Sequence, residues 1–211
     1  MTAVISETQL HSAFAEPATP VQLEAVARAL EANGFATQLV ETAQDAKRAV
    51  LDLIPLGSEV HTGSSTTLET LGLPQELESG RYDPARPKYL KLDRRTQMAE
   101  MRKVVSTPAF MLTSAAAVTE SGSLVLASAT GSQIGAVSFG ANAVILVIGA
   151  QKIVRDLDEA LRRVEEYCFP LEDQRALRVY GQHSGINKLL VLNKESPGRI
   201  HVVLVKEPLG F

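Results

Sequence analysis

A run of eight residues, Ala143–Ala150, is the feature of the sequence that most restricts the fold, because it contains no polar side chain. Without an alternation of polar and apolar positions, the run predicts a β-strand that is buried on both faces. Strands of this kind lie inside parallel sheets whose two faces are covered by helices. The run is too short for a membrane-spanning helix, which needs about 20 apolar residues.

Strand-like and helix-like segments alternate through residue 165. The first helix has the clearest limits, because Thr19 suits the N-cap, Pro20 the first turn and Gly34 the C-terminal end. Such alternation predicts an α/β fold with a mostly parallel open sheet and helices on both faces. No linker-like stretch interrupts the pattern. We therefore expect one domain over residues 19–211, preceded by a flexible N-terminal segment, residues 1–18.

The C-terminal part of the chain has a different pattern. Two β-like segments, residues 186–194 and 199–207, flank the Pro-Gly turn at residues 195–198. This arrangement predicts a C-terminal antiparallel hairpin. The signals are weaker over residues 74–91, a proline-containing segment that we expect to wrap the surface and to finish in a short strand.

Small polar residues are concentrated in the stretch HTGSSTTLETLGL, residues 61–73, where a strand-like segment leads into a helix. Such a junction can bind an anion through backbone N–H groups and hydroxyls. In an open α/β sheet it lies at the carboxyl end of a strand, where these folds bind ligands. Helix capping is the alternative, although a cap needs only one hydroxyl. The predicted ligand-binding residues here are Gly63, Ser64, Ser65, Thr66 and Thr67.

Glu120 is the candidate catalytic residue, because it follows a predicted core strand in the turn of VTESGS. It either faces a ligand as an acid, a base or a hydrogen-bond acceptor, or is a solvated turn carboxylate. The nearby segment ASATGSQIGA offers a second wall for a ligand cleft. The candidates in it are Ser128, Thr130, Gly131, Ser132 and Gln133, which could line that wall together with backbone donors.

Two further ligand-binding candidates, Gly149 and Lys152, follow the apolar run. A lysine at the end of a strand can bind a phosphate or a carboxylate as a point charge, although a solvated lysine is the simpler alternative. His61, at the start of the polar stretch, either points into the cleft or lies in the core. Cys168 is expected in the core, next to two aromatic residues.

Composition excludes several classes of function. The net charge is -3 with both signs interspersed, so there is no basic face for nucleic acid and no polybasic block for a membrane surface. A single cysteine excludes an internal disulfide and a metal cluster held by cysteines, and no two histidines have zinc-site spacing. The N-terminus lacks the pattern of a secretory signal. We expect a cytoplasmic protein that binds no metal or cofactor of its own.

Several separate motifs occur in the order found in one family. HTGSSTTLETLGL, VTESGSLV, FGANAVILVIGAQKIVRDLDEALRRV and GRIHVVLVKEPLGF together resemble the LUD-domain family of lactate-utilisation proteins, the LutC/YkgG-like group. The resemblance runs from Leu23 to Phe211. It implies a NagB/RpiA/CoA-transferase-like fold, in which the first glycine- and hydroxyl-rich loop binds phosphate or another anion; here that loop is residues 63–67.

The resemblance also implies a role. Family members are associated with iron–sulfur partner proteins in the oxidation of L-lactate to pyruvate. Some short members have a cysteine-rich insert, but the corresponding residues 171–187 contain no cysteine, so we expect no cluster in this chain. Two hypotheses follow: an accessory component of lactate utilisation that binds a small anion, or a free-standing enzyme for a phosphorylated sugar, folate, nucleotide or CoA compound. The sequence leaves open whether the protein forms a homo-oligomer.

Overall fold

The computed structural model describes residues 13–211. These residues form ten strands: β1 (Ala36–Val40), β2 (Glu59–Thr62), β3 (Asp83–Pro84), β4 (Phe110–Thr113), β5 (Ala117–Thr119), β6 (Leu124–Ser128), β7 (Ala143–Gly149), β8 (Ile153–Val154), β9 (Lys188–Leu192) and β10 (Ile200–Val205). They also form eight α-helices: α1 (Pro20–Ala32), α2 (Ala43–Asp52), α3 (Thr66–Thr70), α4 (Leu73–Leu77), α5 (Ala85–Leu90), α6 (Met98–Ser106), α7 (Leu157–Arg163) and α8 (Phe169–Tyr180). One π-helical turn precedes β7 and another, Val164–Cys168, joins α7 to α8.

Six strands form a parallel sheet in the order β1-β10-β7-β4-β2-β3. The apolar run occupies β7, between β10 and β4, where its side chains from Val144 to Ile148 are fully buried. Val147 lies beside Val203 of β10, in parallel register. The expected α/β class, with a parallel open sheet built around a strand that is buried on both faces, is confirmed.

Helices cover both faces of this sheet, because each presents one apolar stripe. The residues that α1 buries against one face are Leu23, Val26 and Leu30. Those that α2 buries against the other face are Ala46, Ala49 and Val50. Thr19 caps α1, as predicted, and its side chain accepts a hydrogen bond from the backbone N–H of Gln22.

A second sheet, in the order β8-β5-β6-β9, packs against the α1 side of the parallel sheet. β5 and β6 form the hairpin around Gly122 and are antiparallel, whereas β8 is parallel to β5. One face of this sheet joins the main core through Leu124 and Leu126, and the other packs on α7 through Val125. The chain passes from the first sheet to the second over a short connection, because β4 ends at Thr113 and β5 begins at Ala117.

The predicted C-terminal hairpin is wrong. β9 pairs with β6 in the second sheet, and β10 lies between β1 and β7 in the first sheet. The physical reason is the difference in burial: Val202, Val203 and Leu204 are all fully buried, whereas Lys188 and Leu189 of β9 are exposed. A strand that is apolar on both sides is stabilised most between two covered faces.

The segment 74–91 also differs from its prediction, because it forms α4, β3 and α5, and the helix α5 stands where a short strand was expected. The predicted flexible segment, residues 1–18, falls mostly outside the described residues, which begin at residue 13. Within the described residues, no helix is both long and apolar enough to cross a membrane.

Candidate functional site

The loop between β2 and α3 contains the polar residues 63–67 at the carboxyl end of β2. A side chain at Gly63 would collide with the Gln133 amide and the Thr113 hydroxyl, so glycine permits a close approach here. Ser65 is the N-cap of α3, and its hydroxyl accepts a hydrogen bond from the N–H of Leu68 at 3.4 Å. The capping alternative therefore accounts for one hydroxyl of the loop.

The other parts of the loop are oriented differently. The Ser64 side chain is exposed, whereas Thr67 is buried and donates its hydroxyl proton to the backbone oxygen of Leu209 at 3.2 Å. Within the described chain, the backbone N–H groups of residues 64–67 donate no hydrogen bond. The loop thus has unused donors next to an exposed hydroxyl.

Three side chains from distant parts of the chain meet at Ser64, and we call Ser64, Arg86 and Tyr180 the anion cluster. The Arg86 guanidinium donates to Ser64 Oγ at 3.3 Å, and Ser64 Oγ lies 3.1 Å from the phenolic oxygen of Tyr180. Among residues 13–211, Arg86 forms no salt bridge with a carboxylate. The cluster therefore has an uncompensated positive charge at the edge of the loop.

The hydrogen bonds around Tyr180 change the pKa of its phenol. Burial alone would raise the pKa of its phenol, but hydrogen bonding with Ser64, Arg175 and Arg86 outweighs burial and holds that pKa below its ordinary value. Arg175 lies over the ring at 5.5 Å, and its guanidinium is paired with Glu172 through contacts of 2.7 and 2.8 Å. Arg175 is thus committed to a carboxylate, whereas Arg86 is available to a ligand.

Lys152 lies beneath the same loop. Its side chain is 1% exposed, and its ammonium donates to Thr67 Oγ1 at 2.9 Å, Ser114 Oγ at 3.0 Å and the Ala115 carbonyl at 3.3 Å. Burial, and to a lesser extent the charge of Arg163, lower the pKa of Lys152 to about 7. The solvated-lysine alternative is wrong at this position, since the ammonium is inside the protein.

The C-terminal tail, residues 208–211, packs over this region. The Gln151 amide donates to the carbonyls of Leu209 and Gly210 at 3.0 and 2.9 Å, and it accepts from the Leu209 N–H at 3.1 Å. A side chain at Gly149 would collide with the Leu209 backbone. Gly149 is therefore a position of close approach to the tail, and the Leu209 carbonyl of that tail accepts from Thr67, the residue that Lys152 contacts.

His61 is the third residue of β2 and lies beneath α5. Its side chain is 2% exposed, and Nδ1 has no hydrogen-bond partner among the described residues. The ring packs edge-on against Tyr89 at 5.5 Å. Burial, and then the charge of Arg86, lower the pKa of His61 to about 4. Of the two predicted locations, the cleft and the core, the imidazole lies in the core, where the positive charge of Arg86 acts on it.

The other predicted site residues lie apart from the loop. Glu120 is exposed in the turn between β5 and β6, and this turn packs on the end of α1, where the Asn33 amide donates to Ser121 and Gly122. Ser128 accepts from the N–H of Gly131 at 2.9 Å within its own turn.

From that second wall, Gln133 extends to the loop and contacts Thr113 at 3.4 Å, beside Gly63. Among the described residues, no group of three His, Cys, Asp or Glu side chains is arranged to hold a metal ion.

Sequence reasoning missed Arg86 and Tyr180. Arg86 lies in the proline-containing segment whose periodicity is weak, and Tyr180 is the last residue of α8. Neither belongs to a local motif with Ser64, from which they are 22 and 116 positions distant. The sequence offered one indirect signal, Gly181, because a glycine in the left-handed region commonly ends a helix. It could have placed Tyr180 at the C-terminal end of α8, but not next to Ser64.

Comparison with protein families matches the LUD domain over residues 23–205. Among solved structures, the chain is similar to a DUF162 family protein from Deinococcus radiodurans, with 16% sequence identity and a TM-score of 0.55. That likeness covers 90% of this chain and 99% of the other, and at this identity it supports the fold alone. No curated protein matches the sequence. Because the family match spans most of the chain, this protein belongs to the LUD-domain family.

Proposed function

We propose that this protein is a component of L-lactate utilisation that binds a small carboxylate at the anion cluster. In this proposal it acts beside iron–sulfur partner proteins that oxidise lactate to pyruvate, and it supplies a binding site rather than a redox group. Membership of the LUD-domain family supports the pathway. The geometry of Arg86 supports the binding site.

The single observation that carries the proposal is the unpaired guanidinium of Arg86 at the carboxyl edge of the sheet. Its hydrogen-bond partners in the described structure are two neutral hydroxyls, Ser64 Oγ and the phenol of Tyr180. A guanidinium next to a free carboxylate gains two parallel charge-assisted hydrogen bonds, so an anionic ligand would satisfy donors that the protein leaves open. The edge where it lies is the place where open α/β sheets bind ligands.

The cluster suits a carboxylate better than a phosphate ester. A carboxylate matches the planar fork of one guanidinium, and the Tyr180 and Ser64 hydroxyls can donate to its remaining lone pairs. A phosphate ester carries about two negative charges at neutral pH. Arg175, the other cation near Tyr180, is already neutralised by Glu172.

The test is a calorimetric titration of the protein with L-lactate, pyruvate, inorganic phosphate, ribose 5-phosphate, a nucleotide, a folate and CoA. We expect the two small carboxylates to bind, and Arg86→Gln to weaken them about tenfold or more. Arg28→Gln is the matched control, because Arg28 is exposed on α1. Preferential binding of a phosphate ester, or equal binding by Arg86→Gln, would contradict the carboxylate site.

The partner half of the proposal needs its own measurement. We expect the protein to co-purify with iron–sulfur proteins when expressed at native level under anaerobic conditions, detected by mass spectrometry and by iron content. Purification of the protein alone, with no iron in the fractions, would contradict an accessory role. The carboxylate titration would still stand in that case, since it uses the isolated chain.

A further inference from the structure

Lys152 joins three separate carboxyl-end segments of the sheet. It follows β7 itself, and its ammonium contacts Ser114 after β4 and Thr67 after β2. Thr67 in turn donates to Leu209 of the tail after β10. One buried cation therefore holds the loop that includes Ser64, the end of β4 and, through Thr67, the tail.

Both hydroxyls that accept from Lys152 already use their own protons. Ser114 Oγ donates to the Val147 carbonyl at 2.6 Å, and Thr67 Oγ1 donates to the Leu209 carbonyl at 3.2 Å. An ammonium has three N–H donors, and here three acceptors receive them. The network is complete only while Lys152 carries its proton.

The charges around Lys152 do not compensate it. Arg163 of α7 and Cys168 of the following π-helical turn are the titratable groups whose charges act on it, and Arg163 has the same sign. Among the described residues, Lys152 forms no salt bridge with a carboxylate. An anion at the neighbouring loop would be attracted to a cation that has no counter-ion in the described structure.

We propose that Lys152 is a positioning residue for the anion cluster, and that binding of an anion at Ser64 is coupled to protonation of Lys152. The inference rests on the proposed function. It adds to that proposal a residue that does not touch the ligand and a dependence of affinity on pH.

The coupling follows from the hydrogen bonds. A neutral amine keeps two N–H donors and gains a lone pair, so one of its hydroxyl partners must turn its proton toward the amine. Thr67 is the partner that changes, because its bond to Leu209 is longer than the bond from Ser114 to Val147. Loss of the Thr67–Leu209 bond separates the start of α3 from the tail, which Gln151 still holds, and so loosens the loop that precedes α3.

By linkage, an anion that prefers the protonated protein must increase proton binding when it binds. L-lactate is a suitable probe, because its carboxyl group has a pKa of about 4, is fully ionised between pH 6 and pH 8, and therefore takes up no proton itself. Titrations of the unmodified protein at pH 7, in two buffers with different heats of ionisation, measure the protons taken up per ligand bound. We expect uptake of a fraction of one proton.

We also expect the Kd for L-lactate to rise about fivefold between pH 6 and pH 8. Lys152→Met should remove both the proton uptake and this pH dependence. Thr67→Val is a milder variant that keeps the lysine and removes one acceptor, and it should reduce the uptake. Lys194→Met is the control, because Lys194 is exposed after β9 and should leave both measurements unchanged.

The outcomes separate the two proposals. Lactate binding without proton uptake, or uptake that persists in Lys152→Met, overturns the coupling and leaves the carboxylate site in place. Failure of L-lactate and pyruvate to bind the unmodified protein at any pH overturns the carboxylate site and the coupling together.

Discussion

The ammonium of Lys152 lies 3.0 Å from the Ser114 hydroxyl, and this contact joins the ends of the two adjacent strands β7 and β4 inside the protein. Burial of this cation has a consequence for stability as well as for binding. Its pKa is lowered to about 7 in the folded protein, whereas an unfolded lysine keeps its proton to about pH 10.

The free energy of unfolding should therefore rise as the pH increases from 7 towards 10. Over that interval the unfolded chain binds one more proton than the folded protein at this site, and stability increases with pH wherever the unfolded state binds more protons. The gain is on the order of a few kcal/mol. Urea unfolding at pH 7 and pH 9.5 should show this gain in the unmodified protein relative to Lys152→Met. Equal pH slopes in the two proteins would contradict it.

Gly149→Ala should displace the C-terminal tail. The added methyl group would collide with the Leu209 backbone, which cannot yield as a flexible side chain can. We expect a loss of about 1–3 kcal/mol in the free energy of unfolding, typical of overpacking. Gly135→Ala is the matched control, since a methyl group there would lie 3.7 Å from Ser106 Oγ, an ordinary contact, and should be neutral or slightly stabilising. Chemical denaturation of both variants measures the difference.

The class of the fold could be predicted because one apolar strand admits few environments. The residues Val144–Ile148 have to be covered on both faces, and a parallel sheet between helices does this. The pairing of the two C-terminal strands, β9 and β10, could not be predicted in the same way. A Pro-Gly turn between two β-like segments is a local signal. The place of β10 depends instead on pairing with β1 and β7, whose partner residues lie 165 and 56 positions earlier in the chain.

The candidate site was predictable where it is local. Residues 63–67 are contiguous, so their position at the end of a strand could be inferred from the sequence. Arg86 and Tyr180 approach Ser64 only through the folding of α5 and α8 around the sheet, which no spacing in the sequence indicates. The burial of Lys152 has the same origin, because the covering residues Thr67 and Ser114 come from other strand ends.

His61 should make the protein less stable below neutral pH. Burial and Arg86 lower the pKa of its imidazole to about 4 in the folded state, whereas an unfolded histidine titrates near pH 6.5. As the pH falls through this interval the unfolded state binds the proton first, so the free energy of unfolding decreases, by roughly 3 kcal/mol at most.

His61→Phe tests this dependence, because phenylalanine keeps a ring against Tyr89 and has no proton to bind. Urea unfolding at pH 7 and pH 4.5 should show a smaller loss of stability in the variant than in the unmodified protein. Lys194→Met is the control at an exposed position, because a lysine there keeps its charge throughout this pH range, and it should leave that loss unchanged. The prediction is wrong if His61→Phe loses as much stability as the unmodified protein.

Cys168 should react with thiol reagents far more slowly in the folded protein than in the unfolded chain. It is 7% exposed, and burial raises the pKa of its thiol, an effect that the nearby cations Arg163 and Lys152 reduce but do not reverse. The thiolate is the reactive form, so both access and ionisation are unfavourable.

Because Cys168 is the one cysteine in the sequence, the absorbance change with an aromatic disulfide reports on it alone. We expect a rate at least about 100-fold below that in denaturant, since the group reacts only when the structure opens. Ser196→Cys combined with Cys168→Ala places the thiol on an exposed turn and should react at nearly the unfolded rate. A similar rapid rate for native Cys168 would mean that Arg163, whose guanidinium lies 2.9 Å from Sγ, stabilises a reactive thiolate instead.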